Sequence, residues 1–161
     1  MQLQPVDEQS TTRVGDDAWA PRRILVAFDG SDGAWAALRR AIEIALRERA
    51  LLTIAAVVPE PSPWIGMGLV SLPYSREALR RDAQRSMEQA LAAARDEVPA
   101  TVSVTTRLLS GRPCRALGRL VEHGDFDLVV TGPRPPGRLR RSVTRSVLAH
   151  SPASLLAVRP T

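Results

Sequence analysis

Asp29 is the first residue whose type and place could do chemistry. It follows the continuous apolar run Ile24 to Phe28 and opens the stretch Asp29-Gly30-Ser31-Asp32-Gly33. A carboxylate there can accept hydrogen bonds from an adenine amino group. It can equally cap the next helix or brace the Gly30 to Gly33 turn, and the residue type fits each role. A calcium loop would need Gly at its sixth position and Glu at its twelfth; counted from Asp29 these are Ala34 and Arg40. The second candidate is Gly132 to Thr144, GPRPPGRLRRSVT. Gly132 and Gly137 permit close approach of backbone. Ser142 and Thr144 stand where a helix begins, and exposed amides at such a place attract anions. Arg134, Arg138, Arg140 and Arg141 add positive charge. The segment reads as a phosphate cradle or as a proline-stiffened surface loop capped by Ser142.

Other chemistries find little support. The chain contains no lysine, so all 22 basic residues are arginine, and no P-loop, Schiff-base or phosphorelay lysine can exist. No Gly-x-Ser-x-Gly elbow occurs. The two histidines, His123 and His150, stand at predicted helix ends, where a cation complements the dipole. Cys114 is the single cysteine, which rules out an intrachain disulfide and suits a reducing compartment. One cysteine and two distant histidines make no zinc ligand set. With no general base, metal cluster or lysine, an enzyme such as an ATP hydrolase is not expected. The formal net charge is +5. Its densest cluster, Arg134, Arg138, Arg140, Arg141 and Arg145, has no interleaved aromatic residues and matches no binding motif, so nucleic acid is not an expected partner.

The elements that must position these residues follow from hydrophobic pattern. Residues 1 to 21 are polar and aperiodic and read as a disordered tail, with the domain over 22 to 161. Their acidic residues and lack of an apolar centre argue against a signal peptide, and no apolar run reaches the roughly 18–20 residues of a membrane span; a cytoplasmic protein is expected. Arg22 to Asp29 contains a continuous apolar run, Ile24 to Phe28, and Leu51 to Val58 (LLTIAAVV) is a second such strand; both read as parallel strands covered on both faces. A helix between them carries Trp35, Leu38, Ile42, Ala45 and Leu46, with Ser31 or Asp32 as its cap. Pro59 to Tyr74 is a long apolar loop of the kind that covers something. Ser75 to Glu97 is a helix with an inner stripe of Leu79, Ala83, Met87, Ala90, Leu91 and Ala94. Val102 to Leu109 is a third strand and Gly111 to His123 a helix. Asp127 to Thr131 is a fourth strand, Ser142 to His150 a short helix, and Ser154 to Val158 a fifth strand. Alternation of this kind predicts an α/β fold: an open five-stranded, mainly parallel sheet with helices on both faces. Ligands bind such sheets beyond the carboxyl ends of the strands, where strand order reverses. Strands one and four normally flank that reversal, which brings Asp29 and Gly132 together.

From Arg22 to Pro160 the chain resembles a universal stress protein. The resemblance rests on ILVAFDGSDGAWAAL (Ile24 to Leu38), LLTIAAVVP from Leu51, GDFDLVVTG (Gly124 to Gly132) and SVTRSVLAHSPASLLAVRP (Ser142 to Pro160). It implies a Rossmann-like fold of the adenine-nucleotide α-hydrolase type. It also implies an adenine nucleotide, ATP or AMP, with Val57 where the family's backbone meets adenine. The candidate binding residues are Ala27, Asp29, Val57, Gly132, Gly137, Ser142, Val143 and Thr144. Members that bind nucleotide carry Gly, two residues, Gly, nine residues and then Gly-Ser or Gly-Thr. Gly132 to Ser142 is four residues short of that spacing, Arg141 replaces the last Gly, and the second Gly is displaced to Gly137. Pro133, Pro135 and Pro136 remove amide donors. The expectation is a non-catalytic stress-response homodimer with a degenerate adenine-nucleotide site and weak or no ATP binding. The alternative is an ATP/AMP-binding regulatory module using Asp29, Val57 and the Gly132–Ser142 loop. Strand five offers the dimer edge through Leu155, Leu156 and Val158.

Overall fold

Apolar side chains on both faces of a strand demand cover on both sides, and the chain supplies it. The computed structural model describes residues 19–58, 60, 76–132 and 152–159. Among these residues five strands, β1 (Arg23–Phe28), β2 (Leu51–Val58), β3 (Val104–Ser110), β4 (Leu128–Thr131) and β5 (Ser154–Ala157), form one sheet in the order β3-β2-β1-β4-β5. Every neighbouring pair is parallel. From β1 the chain first builds outward to β2 and β3, then returns to place β4 and β5 on the other side. The reversal therefore lies between β1 and β4, as expected.

Among the described residues three helices, α1 (Asp32–Glu48), α2 (Arg76–Asp96) and α3 (Pro113–His123), cover the two faces. On one face Ile24, Val26, Leu52, Ile54, Leu128 and Val130 pack with α1 and with the end of α2. On the other, Leu25, Ala55, Val57 and Val129 pack with Leu117 and Val121 of α3. Strand residues alternate between the two clusters because strand side chains alternate in direction. Ala34, Ala37, Leu38, Ala41, Ile42 and Ala45 make the inner stripe of α1; burying a Leu or Ile in this way contributes about 1.5–3 kcal/mol.

Four expectations are corrected. Leu46 is 47% exposed, because it lies one position past the stripe that ends at Ala45. Leu79 is 43% exposed; α2 is buried only at Leu91 and Ala94, with Met87 and Ala90 half-buried, so its first turns project past the sheet. The third strand starts at Val104 rather than Val102, since the Val102 amide donates to the Pro99 carbonyl (2.9 Å) in a turn. Pro21, expected in the tail, is buried. The predicted helix 142–150, most of the Pro59–Tyr74 loop and residues 1–18 lie outside the described residues.

Candidate functional site

Asp29 leaves β1 and turns at once into α1. Its Oδ1 accepts the Ser31 amide (3.1 Å) and the Ser31 hydroxyl (2.6 Å). An Asp that bonds the backbone two residues on is the Asx turn, and it accounts for Asp-Gly-Ser in this place. Gly30 takes φ +77°, a conformation open to glycine, and lies under Ala90 of α2. Ser31 then caps α1: its Oγ accepts the Ala34 amide (3.2 Å) and its carbonyl accepts the Trp35 amide (3.0 Å). Trp35 reaches back onto Phe28 edge to face, with centroids 5.0 Å apart.

The far side of the cleft is β4. Ala27 sits in register with Thr131 and, across β2, with Ala55. The Thr131 hydroxyl donates to the Gly132 carbonyl (3.1 Å). Gly132 lies directly on the first turn of α1. A Cβ built on it would stand 2.1 Å from the Gly33 carbonyl carbon and oxygen and 2.7 Å from the Ala34 nitrogen. Here the close approach predicted for Gly132 is made to protein backbone. Ser31 thus takes the Ala34 amide and Gly132 packs on Gly33, so protein groups fill this part of the cleft.

Of the eight candidates, four are described. Ala27, Asp29 and Gly132 are half-buried and Val57 is buried, all at the carboxyl edge of the three central strands. Gly137, Ser142, Val143 and Thr144 lie outside the described residues. Ser31, Gly33 and Thr131 were missed as site residues. Ser31 was readable from its Asp-Gly-Ser setting; Gly33 and Thr131 carry no local signal, because their roles come from the meeting of α1 with β4. Cys114 and His123 occupy opposite ends of α3, about 13 Å apart along its axis. His123 Nδ1 instead lies 2.8 Å from the Arg119 carbonyl, a helix-end contact.

The universal stress protein family model matches residues 21–159. Among solved structures, a universal stress protein of Lactobacillus plantarum is 27% identical, with 85% of this chain and 97% of that one covered at a TM-score of 0.61. A universal stress family protein of Burkholderia pseudomallei is 24% identical over 87% and 96% of the two chains, TM-score 0.66. A universal stress protein in complex with cAMP is 25% identical over 89% and 100%, TM-score 0.63. No curated protein matches the chain.

Proposed function

The chain belongs to the universal stress protein family, and from that premise we propose that it is a non-catalytic stress-response protein that acts as a dimer and keeps only half of an adenine-nucleotide site. The half kept is the carboxyl edge of β1 and β2, where Asp29 and Val57 would meet the base. The observation that carries the reading is the closed start of α1: the Ala34 amide is taken by Ser31, and Gly132 rests on Gly33. The family resemblance puts phosphate binding on the Gly132–Thr144 segment, where Gly132 to Ser142 is four residues short of the family's binding pattern, with three prolines and Arg141 for Gly. Weak or no ATP binding follows. A cytoplasmic site of action belongs to the same proposal; among the described residues no helix is long and apolar enough to cross a membrane.

A second reading is favoured by one observation, the similar protein solved with cAMP: an ATP/AMP-binding regulatory module using Asp29, Val57 and the Gly132–Ser142 loop. Isothermal titration with ATP, ADP and AMP separates the two. We expect no saturable heat for ATP through the high micromolar range. A dissociation constant of about 1 μM for ATP, or about −8 kcal/mol, would overturn the first reading in favour of the second.

A further inference from the structure

At the amino ends of the strands, away from the β1–β4 cleft, α3 leaves part of its own face of the sheet uncovered. A groove of about 460 Å³ runs there from Arg23 of β1 past Leu51 and Thr53 of β2 to Thr105 and Arg107 of β3, with Phe126 in its wall. Leu51 is 50% exposed. Thr53 is the single polar residue of β2, and it too faces the groove. The lining carries two arginines. Arg23 is held 3.4 Å from Asp125; Arg107 is exposed and makes no ion pair among the described residues.

The chain enters β1 beside this groove. The Leu51 amide donates to the Arg22 carbonyl (2.8 Å), and Trp19, 59% exposed, stands just before it. Residues 1–18 hold four carboxylates, Asp7, Glu8, Asp16 and Asp17, against the single Arg13. The rest of a chain of net charge +5 is correspondingly more basic. Asp17 is six residues from Arg23, a reach of about 20 Å when extended. Arg107 is in register with Ala55 and so with Ala27; from Arg23 it lies two strand spacings (about 10 Å) across and four residues (about 13 Å) along, roughly 17 Å in all. Charge, reach and point of entry agree.

We propose that the acidic segment before Trp19 docks in this groove, with Asp16 and Asp17 against Arg107. The occupant is the chain's own segment, bound in cis. A spin label on Ser10→Cys, in a Cys114→Ser background, tests the idea by paramagnetic broadening of amide signals. The expected result is loss of intensity at Thr53, Thr105 and Gly124 and none at Gly30 or Ala90, which lie at the carboxyl ends of the strands on the other side. The loss should be reversed by Arg107→Glu, an exposed position whose change spares the core, and by about 1 M salt, where screening acts beyond about 3 Å. Full intensity at the groove would overturn the proposal. So would broadening of an unlabelled isotopic chain mixed with a spin-labelled one, which assigns the groove to another copy's segment. Broadening that survives Arg107→Glu would overturn the charge pairing.

Discussion

Replacing Gly132 by alanine would set a methyl carbon 2.1 Å from both the carbonyl carbon and the oxygen of Gly33. Those atoms are backbone at the start of a capped helix, so the strain cannot be relieved by a rotamer change. Either β4 or α1 must move. Overpacking of this kind costs about 1–3 kcal/mol, which in a chain of this size lowers Tm by roughly 3–10 °C. The loss should appear in nucleotide-free protein, by calorimetry or thermal circular dichroism. An unchanged Tm would show that Gly132 is not needed for packing. Because packing alone demands Gly132, its presence says nothing for phosphate binding. Asp29 has a comparable double meaning: one oxygen already holds Ser31, so its place at the strand end has a structural cause whether or not a base meets it.

The central strands are held at their amino ends by one side chain. Asp127 Oδ2 accepts the Arg22 and Arg23 amides at 2.8 and 2.9 Å, and the Asp127 amide donates back to the Arg23 carbonyl at 2.9 Å. β4 has only four residues, so this clamp matters to the pairing that creates the cleft. Asp127→Ala should cost about 1.5–3 kcal/mol in urea unfolding, as for hydrogen bonds to a charged group. Asp127→Asn keeps an acceptor oxygen and should lose less than Ala; equal losses would mean that the amides are not held by that oxygen. The same elements show what a sequence can carry. β1 and β2 were legible because a fully covered parallel strand is apolar without alternation; Ile24 to Phe28 has that form, and Leu51 to Val58 departs from it only at Thr53. The Asx turn was legible in Asp-Gly-Ser. The idle first turns of α2 were not, since Leu79 fits the helical period whether or not a sheet lies beneath it. The seam of Gly33 with Gly132 was not either, because it joins residues distant in the chain and neither glycine signals the other.

In the whole molecule the two edges of the sheet differ in a way that bears on assembly. β3 shows Thr105, Arg107 and Ser110 to solvent, and a charged residue on an edge discourages pairing with another strand. β5 bears half-buried Leu155 and Leu156, with Val158 after it and, among the described residues, a neighbour on one side only. The Ser154 and Val158 amides turn inward to the Asp127 and Thr131 carbonyls, both at 2.9 Å. Alternation along a strand then turns those of Leu155 and Ala157 outward. Two copies related by a twofold axis could satisfy these amides on each other and cover the leucines at once. Light scattering after size exclusion should therefore give twice the 17.5 kDa of one chain. Ala157→Pro removes an outward amide at an exposed position and spares the bonds to β4, so it should return the mass to one chain with the far-ultraviolet spectrum unchanged. A monomer of the unaltered chain at micromolar concentration would refute the dimer, and a dimer that survives Ala157→Pro would move its interface away from β5.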